Sequence, residues 1–375
     1  MSATVTNPSL FQERCQRAQA VMAEQGIDYL FIGPGADLQY LIGTPGMDNE
    51  RMMLFVVPQQ GDPAMIVPAL EKLATSKYAS FFELLDWTDA EGPQGRIKQL
   101  VGQAASGTVK AAVGNQLWSM FLLELQKVLP AAEWSKATEV LKKLRITKFP
   151  EEIKLLKEAA AIADRTFSDV VNLQFSGRTE REVMGDINNL LLKYGQEKML
   201  FCIVGSGPNG AQPHHHTGDR VIQPGDAVVL DFGGAYKGYT SDMTRTVLVE
   251  GGNPDPDFEK VYNLVNQARA AGHKQARPGV SCESVDAAAR QVITEGGYGQ
   301  YFVHRTGHGI GMEVHEEPYI VGGNSLPLEP GMAFSIEPGI YLPGRFGVRI
   351  EDIAVVTKDG EENINLSTHE YIRVK

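Results

Sequence analysis

PGDAVVLDFGGAYKGYTSDMTRTVLVE, residues 224–250, predicts two apolar strands joined by the glycine-bearing turn GGAYKG. In such a hairpin Asp231 and Asp242 lie on neighbouring strands. Aspartate is depleted in strand interiors, and a buried carboxylate costs free energy unless a partner compensates for the lost water. A cation bound between the strands would compensate both residues. The alternative, which is the commoner situation for either residue alone, places each aspartate at a solvated turn edge.

A second hairpin-like pair follows near the C-terminus and carries glutamates instead of aspartates. GMAFSIEPGIYL (331–342) and FGVRIEDIAVVT (346–357) are apolar runs with Glu337 and Glu351 in their interiors. The two-residue period of a strand puts Arg349 on the same face as Glu351. Arg349 then either orients a carboxylate of the site or forms a structural ion pair, and both interpretations stay open.

The stretch HRTGHGIGMEVHEEP (304–318) contains three of the 8 histidines in the chain. Carboxylate oxygens with one imidazole suit divalent Mn, Co or Zn, and four carboxylates with one histidine can hold two such ions. His308, flanked by glycines that let the backbone come close to an ion, is the natural imidazole ligand. A single histidine in a glycine-rich stretch is more often structural, so the prediction depends on the whole set of Asp231, Asp242, His308, Glu337 and Glu351.

The segments LDFGG, TSDMTRT, TGHGIG, SIEPG and VRIED, which carry these residues, resemble metallopeptidase family M24. This family includes methionine aminopeptidase, aminopeptidase P and prolidase and has the pita-bread fold. The resemblance implies a dinuclear centre held by the five side chains in a pseudo-symmetric domain, with Mn preferred and Co or Zn as alternatives. Creatinase has the same fold without the metal-binding set, so the complete set favours metal-dependent peptide hydrolysis.

The loop GSGPNGAQPHHHTGDR (205–220) is similar to the family's loop in which a Pro-His pair places an imidazole at the substrate, which here is His214. In the implied reaction a metal-activated water attacks the amide carbon, and Glu337 accepts its proton and passes it to the leaving nitrogen. His214 and His315 donate hydrogen bonds to the oxyanion or to substrate carbonyls. His215 and His216 are expected to be solvent-exposed neighbours in a flexible loop.

Strand and helix patterns divide the chain into an N-terminal α/β domain, 1–140, and a pita-bread catalytic domain, 141–375. The fold class is therefore α/β (α+β). The N-terminal domain has the size and pattern typical of the creatinase and prolidase branch. The connector KLRITKFPEEIKLLKEAAAIAD also resembles the family's entry into the catalytic domain, and Pro150 suits the first turn of its helix.

Composition excludes several classes of protein. The hydrophobic share of 43% and the charged share of 22% are those of a soluble globular chain, and a net charge of -11 disfavours nucleic-acid binding. No apolar run is long enough for a membrane span or a signal peptide. Cys15, Cys202 and Cys282 are too few and too far apart for a disulfide framework, so we expect a cytoplasmic protein with reduced thiols.

The resemblance implies small proline-containing peptides as substrates and favours an Xaa-Pro dipeptidase over an Xaa-Pro aminopeptidase. A dipeptidase needs a cation for the carboxylate next to the cut bond, and Arg305 is a candidate. Archaeal prolidases carry arginine where this chain has Tyr319, which leaves the restriction to dipeptides open. His304, Arg305, Tyr319 and Arg349 are the expected substrate-binding residues.

Two other classes of function remain as alternatives, and one assembly is expected. A dinuclear site on this scaffold could serve a different hydrolase or a lyase, because one fold hosts many chemistries. A catalytically inactive interaction module is the other alternative, although the complete ligand set argues against it. A homodimer is expected, since symmetric dimers are the commonest assembly and members of the family commonly pair.

Overall fold

The computed structural model describes residues 8–102 and 108–375, and the chain divides into two units between Arg145 and Ile146. The helices of the N-terminal unit are α1 (Pro8–Gln25), α2 (Ala36–Ile42), α3 (Lys72–Ser76), α4 (Gln94–Val101), α5 (Ser119–Val128) and α6 (Thr138–Arg145). Its strands are β1 (Tyr29–Ile32), β2 (Leu54–Pro58), β3 (Ala64–Pro68), β4 (Glu83–Trp87), β5 (Lys110–Val113) and β6 (Glu133–Lys136). A short 3-10 turn, Ala69–Glu71, precedes α3. The predicted boundary at residue 140 lies inside α6.

The six strands of the N-terminal unit form one mixed sheet in the order β4-β3-β2-β1-β5-β6. Strand β1 pairs antiparallel with β2 and parallel with β5. The central strands are apolar and buried on both faces, as LFVVP in β2 and AMIVP in β3 show, because helices cover a sheet of this kind. The predicted α/β character of this unit is confirmed.

The C-terminal unit contains four long helices and twelve strands among its described residues. The helices are α7 (Pro150–Val170), α8 (Glu180–Lys193), α9 (Phe258–Gln275) and α10 (Cys282–Glu295), with 3-10 turns at Gly207–Ala211 and Gly299–Tyr301. The strands are β7 (Lys198–Ser206), β8 (Ala227–Tyr236), β9 (Tyr239–Thr240), β10 (Met243–Val249), β11 (Gly307–Gly309), β12 (Glu316–Ile320), β13 (Ala333–Ile336), β14 (Gly339–Leu342), β15 (Phe346–Arg349), β16 (Asp352–Val356), β17 (Glu361–Asn363) and β18 (Arg373–Val374).

The strands of this unit form two five-stranded sheets and one separate pair. The first sheet has the order β18-β10-β8-β7, with β9 paired to β8, and the second has the order β12-β11-β13-β16-β17. Strands β14 and β15 form the separate pair. An isolated bridge between Thr244 and Glu351 joins the first sheet to the chain just ahead of β16. The bridge brings β10 and the start of β16, which are distant in sequence, next to each other.

Local sequence signals explain where two of the helices begin. Pro150 is the first residue of α7, and the Glu152 carboxylate accepts a hydrogen bond from the Phe149 N–H at 2.8 Å. Helix α8 begins with a capping box, in which the Glu182 N–H donates to Thr179 Oγ1 at 3.2 Å and the Glu182 carboxylate accepts from the Thr179 N–H at 2.7 Å. No helix in the described ranges combines the length and apolar character needed to cross a membrane.

The first predicted hairpin is confirmed: β8 and β10 pair antiparallel, with Asp231 opposite Thr244. The second predicted pair is antiparallel as well, but it is broken in two, since β13 pairs with β16 and β14 with β15. Glu337 and Glu351 therefore lie at the breaks rather than in strand interiors. The Glu337 N–H donates to Thr306 O at 2.8 Å and the Glu351 N–H donates to Thr244 O at 3.0 Å. Because Pro338 has no N–H, the first break costs no hydrogen bond at that position.

Candidate active site

Asp231, Asp242, His308, Glu337 and Glu351 all line one cavity of about 1010 Å³ in the C-terminal unit. Asp231 belongs to β8, His308 is the middle residue of β11, and the other three lie directly beside strand ends. His308 Nε2 is 3.6 Å from Asp242 Oδ2 and 3.1 Å from Glu337 Oε1. Ligand atoms of Asp242, His308 and Glu351 all lie within 4.8 Å of one another. The structure thus brings the five predicted residues to one cavity.

Three carboxylate oxygens of this group are buried and have no hydrogen-bond partner among the described residues: Asp231 Oδ1, Asp242 Oδ1 and Glu351 Oε1. A buried oxygen without a hydrogen-bond partner is costly in free energy. Three such oxygens, each on a different residue of one cluster, indicate that a bound cation supplies the missing partner. Carboxylate oxygens with one imidazole nitrogen are donors that suit divalent Mn, Co and Zn. The donor set therefore fits divalent metal ions.

The protonation equilibria of the carboxylates show the same crowding of negative charge. Burial raises the pKa of Asp242 and Glu351 well above the ordinary values. The charges of Asp231 and Glu337 raise the pKa of Asp242 further, and the charge of Asp242 raises that of Glu351. Burial also raises the pKa of Asp231, although Arg349 opposes this effect. Burial acts on Glu337 in the same direction, but its hydrogen bond with His308 and the charge of His308 outweigh it and lower the pKa to about 2. A positive ion among these groups would relieve their repulsion.

The orientation of His308 is set by its neighbours. Its Nδ1 lies 3.2 Å from Gly309 O, so a proton on Nδ1 donates there, while Nε2 faces Asp242 and Glu337. In the metal-free protein a proton on Nε2 donates to Glu337, and a bound metal would take the place of that proton. The His308 N–H donates to Ser335 Oγ at 3.0 Å, and this hydroxyl donates to Glu337 Oε1 at 3.1 Å. One serine therefore fixes the backbone of one proposed ligand and the side chain of another.

The glycines beside His308 serve close packing of strands. A Cβ at Gly307 would lie 1.8 Å from Ser335 O, and a Cβ at Gly309 would lie 2.2 Å from Glu317 O. We expected these glycines to let the backbone approach the ions. The structure shows that the space they leave is filled by the backbones on either side of β11, which hold His308 in place.

Arg349 is buried and connects several groups around the cavity. Its Nη2 donates to Asp231 Oδ2 at 2.5 Å, and its Nη1 donates to the Tyr341 hydroxyl at 2.8 Å and to Pro213 O at 3.3 Å. The sequence placed Arg349 on the face of Glu351, whereas its partner in the structure is Asp231. Since β8 and β15 are distant in sequence, spacing alone could not identify this pair.

Tyr341 extends the chain of contacts from Arg349 to His304, whose Nε2 lies 2.8 Å from the Tyr341 hydroxyl oxygen. His304 Nδ1 lies 2.7 Å from Arg305 O. Burial lowers the pKa of His304 and raises the pKa of Tyr341 to about 12. The tyrosine therefore donates to a neutral histidine, which donates to the carbonyl. Sequence reasoning missed Tyr341, because one tyrosine in an apolar strand belongs to no motif.

We expect Tyr341→Phe to lower the free energy of unfolding of the catalytic unit by about 1–3 kcal/mol, because it leaves the buried His304 Nε2 without a partner. It also removes the shorter of the two hydrogen bonds that Arg349 Nη1 donates, which leaves only the bond to Pro213 O. Urea unfolding of the purified protein measures the change. Tyr371→Phe, which removes an exposed hydroxyl that donates to Glu259 at 3.0 Å, is the matched control and should change stability far less. Equal losses for the two variants would contradict a special role of Tyr341.

Of the remaining predicted side chains, some line the cavity and one does not. His214, His304, Arg305 and His315 line it, and the ring centroids of His315 and His308 are 4.0 Å apart. Burial, followed by the charges of His308 and Arg305, lowers the pKa of His315 to about 4, so this imidazole is neutral at pH 7. Tyr319 is not among the described residues that line the cavity, but its ring lies 4.3 Å from the guanidinium carbon of Arg305.

One expectation for the histidine loop is wrong. His215 was expected to be a solvent-exposed neighbour of His214, but its Nε2 lies 2.8 Å from Glu180 Oε2, and its side chain is only 11% exposed. The partner carboxylate is buried within the unit, so the contact draws the imidazole inward. His216 is exposed, as expected. Glu180 was missed because its only local signal, the position after the cap of α8, indicates a helix start and no site.

Comparisons with known proteins agree with this geometry. Residues 154–358 match the model of metallopeptidase family M24, and residues 14–147 match the creatinase/prolidase N-terminal domain. The chain belongs to metallopeptidase family M24. It is 46% identical to a probable dipeptidase PepE of Mycobacterium tuberculosis, over 97% of each chain. It is 37% identical to an Xaa-Pro dipeptidase of Lactobacillus helveticus, over 92% of this chain and 94% of the relative.

A solved structure extends the agreement to three dimensions. The prolidase of Thermococcus sibiricus superposes on this M24 enzyme with a TM-score of 0.92 at 35% identity, covering 97% of this chain and 99% of the other. Members of family M24 are dinuclear metal enzymes, and the enzyme described here has a candidate metal-binding group in the matching domain. It is a metallopeptidase with an N-terminal creatinase-like domain, as the sequence predicted.

Proposed function

We propose that this metallopeptidase is an Xaa-Pro dipeptidase that works with two divalent ions, Mn preferred and Co or Zn as alternatives. The proposed ligands are Asp231, Asp242, His308, Glu337 and Glu351. The observation that carries the proposal is the group of three buried carboxylate oxygens without partners, all beside His308 and Glu337 in one cavity. The relatives named as prolidases and Xaa-Pro dipeptidases support the choice of substrate.

The proposed reaction uses the side chains around the cavity in separate roles. When bound, the dinuclear centre supplies an activated water and polarises the scissile carbonyl. Glu337 lies in the cavity with its Oε1 3.1 Å from His308 Nε2, so its carboxylate can accept the proton of the attacking water and return it to the leaving nitrogen. His214 and the neutral His315 donate hydrogen bonds to the carbonyl oxygen as negative charge develops on it. Arg349 holds Asp231 through its ion pair.

The walls of the cavity support a substrate with proline after the cut bond. Proline offers no N–H, so a site shaped for it needs apolar surface and no main-chain acceptor. Apolar side chains make up one part of the lining: Met184, Leu200, Phe201, Ile203 and Val314. The leaving group is then a tertiary amide nitrogen, which receives its proton from Glu337 in this proposal.

Arg305 is the residue that we propose restricts the enzyme to dipeptides, by binding the free carboxylate of the substrate. Two arginines line the cavity within the described residues, and Arg349 is committed to Asp231. No carboxylate of the described chain lies within ion-pair distance of Arg305, whose guanidinium instead stacks on Tyr319. His304 Nδ1 lies within hydrogen-bond distance of Arg305 O, so His304 contributes to fixing the backbone of Arg305. A cation held in this way can bind the free carboxylate of a dipeptide.

We expect Arg305→Ala to lower kcat/KM for an Xaa-Pro dipeptide by about 10- to 150-fold, the equivalent of about 1.5–3 kcal/mol for a hydrogen bond to a charged group. Cleavage of the tripeptide Xaa-Pro-Xaa should change little, because its carboxylate lies one residue further from the cut. The assay compares Gly-Pro or Met-Pro with the matching tripeptide at one Mn concentration. Arg305→Lys, which keeps the charge, should recover part of the dipeptide activity.

The wild-type comparison decides between the two candidate activities. A dipeptidase cleaves Xaa-Pro faster than Xaa-Pro-Xaa, whereas equal or faster cleavage of the tripeptide would assign the enzyme as an Xaa-Pro aminopeptidase. An absence of turnover on both peptides with Mn, Co and Zn would overturn the peptide substrate. A different small-molecule substrate on the same scaffold would then be the better hypothesis.

We also propose a cytoplasmic homodimer. The three cysteines are unpaired thiols, and burial raises the pKa of Cys15 to about 12 and of Cys282 to about 11. Such thiols suit a reducing compartment. Closed twofold assemblies are the commonest oligomers. Light scattering on the purified enzyme tests the dimer, and a monomer mass would refute it, while cell fractionation tests the compartment.

A further inference from the structure

Glu180 is a fully buried carboxylate that the proposed reaction does not use. It is the first residue of α8, and it accepts hydrogen bonds from Ser206 N at 2.8 Å and Ser206 Oγ at 2.7 Å. Asn209 Nδ2 donates to both of its oxygens, at 3.0 and 3.2 Å. His215 Nε2 lies 2.8 Å from Oε2, and Gly218 N lies 3.4 Å from the same oxygen.

All of these donors belong to one segment, residues 206–218, which runs from the end of β7 through the 3-10 turn to the histidine loop. Burial raises the pKa of Glu180, but the hydrogen bonds from Ser206, His215 and Asn209 outweigh burial and lower it. The carboxylate is therefore ionised at neutral pH. A buried charge with this many donors is costly to leave unpaired, so it holds its donors tightly.

The same loop has a second anchor on the other side of His214. Arg349 Nη1 donates to Pro213 O at 3.3 Å, while Glu180 holds His215 at 2.8 Å. His214 lies between these two fixed residues and is itself exposed at the cavity. Its imidazole has no anchor of its own in the described structure, so its position depends on the backbone to either side.

We propose that Glu180 and His215 are positioning residues, which hold the loop 206–218 so that His214 stays aimed at the reacting carbonyl. This inference rests on the proposed function, because it assigns His214 a role in peptide cleavage. Glu180 does not line the cavity, and His215, which does, has its Nε2 directed to Glu180 at 2.8 Å. Loss of the pair displaces His214 and lowers turnover, while the five proposed metal ligands remain in place.

The test compares two substitutions of His215. His215→Gln keeps an N–H that can reach Glu180, whereas His215→Leu removes the donor at similar size. We expect His215→Leu to lower kcat for Gly-Pro by about 10- to 100-fold, because small displacements of a catalytic group have effects of this size. KM should change little. His215→Gln should stay close to the wild type, and the metal content of both variants should equal that of the wild type.

A double-mutant cycle with His214→Ala separates positioning from a general structural role. If the pair acts through His214, His215→Leu lowers kcat in the wild-type background but hardly at all in the His214→Ala background. Equal losses in both backgrounds, or a loss of bound metal, would overturn the proposal. Asp219→Asn is the control: it removes an exposed ion pair with Arg181 at 2.7 Å, between the same helix and the residue directly after the loop, and should leave kcat unchanged.

Hydrogen exchange of the metal-free protein tests the anchor without any activity. We expect His215→Leu to increase exchange of the amides in residues 206–218, and His215→Gln and Asp219→Asn to leave it near the wild-type level. Unchanged exchange in His215→Leu would overturn the anchor. If the wild type cleaves no Xaa-Pro peptide, the proposed function fails while the exchange result still decides whether the pair fixes the loop.

Discussion

Asp242→Asn is expected to remove metal-dependent turnover and at the same time to raise the thermal stability of the metal-free enzyme. The loss of turnover follows because Asp242 is a proposed metal ligand. Removal of a residue that only orients a ligand lowers metal affinity roughly 10- to 100-fold, and removal of a ligand should lower it more. The gain in stability follows because asparagine cannot ionise, so it avoids the cost of a carboxyl group in a buried acidic cluster. The two effects have opposite signs, which a simple folding defect would not produce.

The sign of the stability change comes from the raised pKa values of the cluster. Burial and the charges of neighbouring carboxylates raise the pKa of Asp242 and Glu351 in the folded protein. Carboxyl groups of this kind favour the folded state while they are protonated. Their contribution is lost as the pH rises from the unfolded pKa towards the folded one. At pH 7, which lies above the unfolded pKa, the metal-free wild type has lost part of this contribution. Asp242→Asn does not ionise at any pH and avoids that cost.

Differential scanning calorimetry with chelator and with Mn measures both effects. In chelator, Asp242→Asn should melt above the wild type, by about 2–4 °C for each kcal/mol in a unit of this size. Added Mn should stabilise the wild type by about 2.7 kcal/mol at 100 times its Kd, and the variant by less at the same concentration. Asp359→Asn, at an exposed position, is the control for the loss of one charge. A lower melting temperature in chelator, or a full Mn response, would contradict the assigned role of Asp242.

The parts of the site that the sequence could predict are those whose signal is local. Asp231 and Asp242 stand out because they interrupt apolar strands on either side of a turn, and the pairing of β8 with β10 follows from that turn. The glutamates of the second pair stand out in the same way. Their exact setting could not be predicted, since the strand breaks at Glu337 and Glu351 depend on hydrogen bonds to Thr306 and Thr244 in other segments.

The partners that orient these groups have no local signal at all. Arg349 pairs with Asp231 across 118 positions, and the choice between Asp231 and Glu351 depends on how β15 packs on β8. Glu180 and His215 are 35 positions apart and belong to a helix start and a loop, where glutamate and histidine are both ordinary. A contact of this kind becomes visible only when the fold brings the segments together. Predicting it needs the structure or related sequences in which both positions change together.

Glu337→Gln is expected to lower kcat by about 10²- to 10⁴-fold, the range for loss of a general acid–base group. Glutamine keeps an oxygen that can accept the hydrogen bond from Ser335 Oγ, now 3.1 Å from Glu337 Oε1, so the shape of the site is largely preserved. It cannot accept and return a proton as an ionised carboxylate does. Because the loss belongs to the transition state, KM should change much less than kcat.

Ser335→Ala separates the proton-transfer role of Glu337 from its orientation. This variant removes the hydroxyl that contacts both the His308 N–H and Glu337 Oε1, but it leaves the carboxylate able to ionise. We expect a loss in kcat well below that of Glu337→Gln. Metal content, measured by elemental analysis, must be similar in both variants for the comparison to hold. A Glu337→Gln enzyme that keeps its metal and turns over within tenfold of the wild type would leave proton transfer to another group, and His214 would be the first residue to test.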